Sequence, residues 1–212
     1  MSNQFGPEYF KLIKSLEGKQ RFLDELELVY ALMPPQSGDK ILDVGCGTGR
    51  LGLFLLKRQN DIEVVFSDFS EEAAKYVGGA HRFERCMMEE TPFKDEEFDL
   101  VYCLHTISHT VSPENALREV ARITKRGGKI CIITFNKHYM NYMKLYYRVI
   151  LRKPYERDTT AKYMFYKNQL ASLAEKTGWK VTRKITFGPF PSRFTPFNFM
   201  RWHIMMVAEK KS

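Results

Sequence analysis

The stretch Ile41-Leu42-Asp43-Val44-Gly45-Cys46-Gly47-Thr48-Gly49-Arg50-Leu51-Gly52 constrains the fold more than any other part of the chain. A short apolar run ends in an acid, passes through three glycines at every second position, and gives way to a helical pattern. That order predicts a buried strand, a turn in which bulky side chains would collide, and a helix start aimed at a ligand. Glycines let a ligand lie almost on the backbone, and the amides at a helix start favour a negative group. The expected ligand is nucleoside-like and carries a carboxylate or phosphate.

From Lys40 the pattern alternates. Strands are expected at Lys40–Val44, Ile62–Ser67, Phe83–Cys86, Phe98–Leu104, Lys129–Phe135, Trp179–Phe187 and Trp202–Glu209, with helices at Leu51–Arg58, Ser70–Val77, Pro113–Lys125 and Asn168–Thr177. Ser112-Pro113-Glu114 is a helix opening, and Gly127-Gly128 is read as the stop of the same helix. Alternation implies parallel pairing with right-handed crossovers. The last two strands have only a loop between them, so they must be antiparallel. The fold class expected is α/β: a three-layer sandwich on a mostly parallel seven-stranded sheet, its last strand antiparallel. At 212 residues this is one domain, 1–212, with a helical cap over 1–35 that ends at Met33-Pro34-Pro35.

The net charge of +8 is uneven. Between Lys137 and Lys167 stand eight cations against two acids, and the rest of the chain is nearly neutral. That distribution argues against a protein that coats nucleic acid. The four cysteines are scattered singly, without a metal-binding spacing, and read as reduced thiols. No apolar stretch approaches the ~20 residues of a membrane span, and the N-terminus lacks a secretory pattern. A cytoplasmic location is expected, peripheral to a membrane if the basic segment touches one.

Gly47-Thr48-Gly49-Arg50-Leu51-Gly52 meets the GxGxxG spacing of dinucleotide enzymes. Four features decide against that reading: Asp43 two residues before the first glycine; Asp68 ending the second strand; Pro92-Phe93-Lys94-Asp95-Glu96-Glu97-Phe98-Asp99 leading into the fourth; and, after it, Ser108-His109, then Pro113, Ala116, Leu117, Glu119, Arg122 and Gly127-Gly128. On these residues the chain resembles the class I S-adenosylmethionine-dependent methyltransferases, the small-molecule type 11 group with its quinone-ring enzymes in particular. The resemblance covers about Lys40 to Phe135 and, in outline, the last two strands. It implies S-adenosylmethionine as cofactor. It implies that Asp43, Gly45, Cys46, Gly47 and Gly49 wrap the methionine part, that Asp68 grips the ribose and that Phe69 lies on the adenine. Met88 and Glu89 would border the adenine edge, Leu104 the sulfonium side, and Tyr9 would cap the cofactor. One departure stands out: where many relatives carry an acid for the adenine amino group, this chain has Met87.

Methyl transfer from a sulfonium needs alignment above all, and a base only where the acceptor must lose a proton. His105 and His109 are the candidates for acceptor contact or base, and their spacing would face them together on a helix. As metal ligands they would need a third that the sequence does not announce. The segment 136–167 holds seven of the eleven tyrosines and overhangs the expected site. If helical, it places Tyr139, Tyr142, Tyr146 and Ile150 on the face opposite a basic stripe of Lys137, Asn141, Lys144, Arg148 and Arg152. It reads as a lid over an aromatic pocket, as a contact of 137–153 with an anionic membrane, or as an RNA-binding strip. The function expected is methyl transfer to a small aromatic or lipid-like acceptor. The alternatives are a non-catalytic S-adenosylmethionine binder and an RNA methyltransferase. Oligomeric state is open.

Overall fold

Seven strands form a single sheet in the order β3-β2-β1-β4-β5-β7-β6 in a computed structural model that describes residues 5–155, 161–188 and 201–211. In chain order the elements are α1 (Pro7–Leu16), α2 (Gln20–Leu32), β1 (Lys40–Val44), α3 (Arg50–Arg58), β2 (Glu63–Asp68), α4 (Glu71–Val77), β3 (Phe83–Arg85) and β4 (Phe98–Leu104). A short 3-10 turn (Thr106–His109) leads to α5 (Pro113–Ile123), β5 (Thr124–Phe135), α6 (Lys137–Val149), α7 (Lys167–Lys176), β6 (Trp179–Phe187) and β7 (His203–Lys210). Strands β1 to β5 pair in parallel, and β7 runs antiparallel between β5 and β6. The expected sheet, with one reversed strand, is the observed one.

A parallel sheet is covered on both faces, so its strands are apolar on alternate sides without a wet face. On β4, Val101 and Cys103 face a core built with α5 and α7, whereas Leu100 and Tyr102 face a second core built with α1, α2, α3 and α4. Trp179 is fully buried in the first and donates its indole N–H to the Leu117 carbonyl at 3.2 Å. Tyr102 is fully buried in the second and donates its hydroxyl to the Met33 carbonyl at 2.5 Å. Each large polar aromatic thus has a partner for its polar end.

Three boundaries differ from the sequence reading, each for a physical reason. Helix α5 ends at Ile123 rather than at Gly127-Gly128, and β5 begins at Thr124. The Thr124 hydroxyl donates to the Val120 carbonyl at 2.6 Å, and Thr124 already pairs with Phe98. The two glycines lie inside the strand, where β4 approaches so closely that a Cβ on Gly128 would sit 2.8 Å from the Asp99 carbonyl oxygen. The second difference is the face of α6. Tyr139 and Met140 are buried, but Tyr146 and Ile150 of the expected inner face are exposed, so only the base of the helix packs on the domain. The third concerns His105 and His109: the chain there is a 3-10 turn, in which residues three apart align and residues four apart do not. Phe194, Phe197 and Phe199, which the sequence offers with Trp202 as additions to the aromatic pocket, lie outside the described residues.

Candidate active site

The loop after β1 is fastened by its neighbours. Cys46 N–H donates to the Ser67 carbonyl at 2.9 Å, and Gly47 N–H to Asp68 Oδ2 at 2.9 Å. Asp68 Oδ1 meanwhile accepts from Ser70 N–H at 2.9 Å. Asp43, behind the loop, accepts from Gly52 N–H at 3.0 Å and ties strand to helix. Gly45 has φ +65°, and an added Cβ there would lie 2.2 Å from the Thr106 side chain, whose hydroxyl donates to the Gly45 carbonyl at 3.0 Å. Gly47, at φ +56°, has nothing within 4 Å of the same position. It faces open space, as a backbone that approaches a ligand must.

That space is a cavity of about 290 Å³ at the C-terminal ends of β1, β2 and β4. Its floor is Val44, Gly45, Gly47 and Asp68. Phe5, Tyr9 and Phe10 close one side and Phe69, Met87, Met88 and Glu89 another. Leu104 through Thr106 and His109 through Val111 form the far wall, with Lys162. Phe5 ties the cap to the rest: its ring meets Tyr9 at 4.9 Å, Phe69 at 5.6 Å and His109 at 5.2 Å.

Of the expected cofactor residues, Tyr9, Gly45, Gly47, Asp68, Phe69, Met88, Glu89 and Leu104 line the cavity, and Asp43, Cys46 and Gly49 stand behind it. Glu89 Oε1 accepts from the amides of Val111 and Ser112, holding the far wall in place. Electrostatics separates the two aspartates. Burial raises Asp43 to about 7 despite the Gly52 amide and Arg50. Asp68 is raised by burial too, against three opposing amides, those of Ser70, Gly47 and Phe69. Burial also lifts the Cys46 thiol far above its ordinary value, which makes it a space-filling group and not a nucleophile.

Both histidines line the cavity but diverge. His105 holds a left-handed backbone, φ 65°, and its N–H donates to the Ile133 carbonyl at 2.8 Å. Its Nε2 lies 3.1 Å from Glu25 Oε2, while Glu25 Oε1 pairs with Arg50. His203 Nδ1 lies 3.7 Å from the same Oε2. Burial works against charge on Glu25, and His105, Arg50 and His203 outweigh it, holding the carboxyl well below its usual range. Sequence reasoning passed over Glu25. The signal was an acid on the apolar face of α2, at helical spacing between Phe22 and Val29.

Residues 42–132 match the type 11 methyltransferase family, described as a methyltransferase domain. A ubiquinone biosynthesis O-methyltransferase of Alkalilimnicola ehrlichii is 33% identical over 127 residues, 56% of this chain and 50% of that protein. The chain spans about half the length of the named curated methyltransferases it matches. A Haloferax volcanii methyltransferase solved in complex with the Trm112 activator shares the fold at a TM-score of 0.73 and 16% identity, over 94% of this chain and 93% of that one. So does the [4+2]-cyclase SpnF, at a TM-score of 0.70 and 17% identity, over 91% of this chain and 82% of that one. The matched segment, less than half of the chain, holds the glycine loop, Asp68 and the cavity wall from Met87 to Val111, so the part that resembles a methyltransferase domain is the part that builds most of the cavity, and S-adenosylmethionine is the cofactor this resemblance implies.

Proposed function

We propose that this protein transfers the methyl group of S-adenosylmethionine to a small aromatic or lipid-like acceptor held in the same cavity. The observation that carries the reading is the continuity of that cavity. One end is a glycine backbone and a carboxylate suited to an amino-acid and ribose moiety, and the other is an apolar wall that includes a histidine. When bound, S-adenosylmethionine supplies an electrophilic methyl on a positively charged sulfur. The backbone at Gly45 and Gly47, whose close approach the glycines allow, and the remaining lone pairs of Asp68 bind its polar parts, and Phe69 and Met87 flank its ring. Leu104, Thr106 and Val111 place the acceptor in line, an alignment worth roughly 7–11 kcal/mol of barrier. The leaving sulfur is neutral, so no oxyanion hole is called for. Where the acceptor must first lose a proton, His109, on the cavity wall, is the base.

Calorimetry tests the cofactor site. The wild type binds S-adenosylmethionine, and Asp68→Ala binds it at least about tenfold more weakly, about 1.4 kcal/mol. Equal affinity in the two proteins would remove the assignment. S-adenosylhomocysteine that forms only when an acceptor pool is added separates an enzyme from a binder. The fold is shared with a protein named as a cyclase, so the architecture alone does not assign methyl transfer.

The outer half of α6 favours an acceptor met at an anionic membrane. Leu145, Val149, Ile150 and Leu151 are exposed there beside Lys144, Arg148, Arg152 and Lys153, the pairing of apolar and basic faces that suits an interfacial helix. No helix among the described residues is long and apolar enough to cross a membrane.

A further inference from the structure

We propose that Glu25, His105 and His203 form a binding site for a divalent first-row transition-metal ion of the zinc class. The site clips helix α2 to the ends of β4 and β7. The proposal is independent of the methyl-transfer reading. One ligand atom from each residue, a carboxylate oxygen and two imidazole nitrogens, lies within 4.8 Å of the other two. Measured from Glu25 Oε2, His105 Nε2 is at 3.1 Å and His203 Nδ1 at 3.7 Å. Ligands about 2.0–2.1 Å from a tetrahedral zinc stand about 3.3 Å apart; the two distances from Glu25 bracket that value, and the third, within 4.8 Å, closes when the ion binds.

Each ligand sits on a different element: Glu25 on α2, His105 at the end of β4, His203 at the start of β7. The His105 and His203 rings are 4.8 Å apart, with Phe135 packed against both at 5.4 and 5.6 Å. Glu25 is only 6% exposed. Its Oε1 is taken by Arg50, whose guanidinium lies over Phe22 at 4.9 Å, so Oε2 alone is turned to the imidazoles. A carboxylate ligand whose second oxygen is held this way is the usual outer-shell arrangement.

The protein does not complete this cluster by itself. Among the described residues three buried side-chain polar atoms have no hydrogen-bond partner, and two of them, Arg50 Nη1 and His105 Nδ1, belong here. Buried groups of that kind normally bond to water or surround an ion. A cation between Glu25 Oε2 and the two imidazoles would take water at its fourth position, and His105 Nδ1, on the far side of its ring from Nε2, is left for a separate water. Two imidazoles and one carboxylate suit zinc, cobalt, nickel or ferrous iron and not calcium or magnesium, which take oxygen ligands. An imidazole nitrogen that binds a metal carries no proton, so the ion competes with protons for the site.

The test uses the full chain, without a histidine tag and stripped with a chelator, titrated with cobalt(II) chloride and then zinc chloride. The expected result is one cobalt per chain with the visible absorption of a four-coordinate ion, displaced by zinc, and a higher Tm with zinc present. Glu25→Gln and His203→Gln each weaken uptake at least about tenfold and abolish the rise in Tm. His81→Ala, at the β3 edge of the sheet against Phe66, keeps both. A wild type that takes up no stoichiometric cobalt overturns the proposal and leaves a hydrogen-bonded network. Wild-type uptake in the glutamine variants overturns it equally. Both variants change shape little, and a cooperative melt of each verifies folding.

Discussion

The glycine loop and helix α6 both follow the C-terminal end of a sheet strand, yet they are built in opposite ways. The loop after β1 is held by bonds from Ser67, Asp68, Asp43 and Thr106, so its backbone has one shape. Helix α6 is fixed at its start, where Asn136 caps it and Tyr139 and Met140 are buried, and its last turns lie in water. The loop therefore determines a ligand by geometry, which no side chain can easily imitate. The helix offers a surface, and its meaning depends on what meets it.

The sharpest test of the loop is Asp43, which stands behind it. Its carboxyl is held at about 7 in the folded protein by burial, against 3.8 ordinarily. A raised value means the folded state binds the extra proton more tightly. Stability from this group is complete below about pH 4, falls as pH rises, and is lost by about pH 7. Three pH units correspond to about 4 kcal/mol. Asp43→Asn keeps an acceptor for the Gly52 amide and removes the titration. In urea melts at several pH values its stability relative to wild type should climb between pH 4 and 7 by up to that amount. A constant difference would mean that Asp43 ionises in the folded state as it does in the unfolded one.

Next comes the backbone itself. Gly45→Ala meets both a left-handed φ and the Thr106 side chain, and is expected to cost about 3 kcal/mol. Gly47→Ala meets only the φ, about 1–2 kcal/mol, while its methyl projects into open space that a ligand would use. The first variant should lose Tm, and the second should lose cofactor affinity out of proportion to Tm. If the two behave alike, the loop is not shaped around a ligand.

This contrast also explains what the sequence could reveal. Gly45, Gly47, Asp68 and the strand alternation were legible because backbone conformation and buried strands leave local signatures in residue type and period. The Ser70 cap of α4 was legible for the same reason: its hydroxyl accepts from the Glu72 amide. Glu25, by contrast, reaches His105 across 80 positions of sequence, and no local pattern encodes such a meeting. The i, i+4 pairing of His105 and His109 failed because it assumed a helix where the chain makes a 3-10 turn. Along α6 the spacing left a lid, a membrane contact and an RNA-binding strip all open, since amphipathic spacing is the same whether the partner is the domain or something else.

The smallest effect on stability is expected at that outer half. Lys144, Arg148 and Arg152 are exposed, and none of the three belongs to the buried core of the described residues. Unfolding free energy should change by less than about 0.5 kcal/mol. Binding is where the triple variant should differ. The wild type is expected to float with vesicles containing phosphatidylglycerol and not with neutral phosphatidylcholine vesicles, and the variant with neither. Each cation near an anionic surface contributes about 1 kcal/mol, so three together decide whether the helix stays bound. Equal flotation of the two proteins would assign the exposed leucine and isoleucine side chains to some uncharged partner. A large loss of stability would show instead that the end of α6 is covered from within the chain.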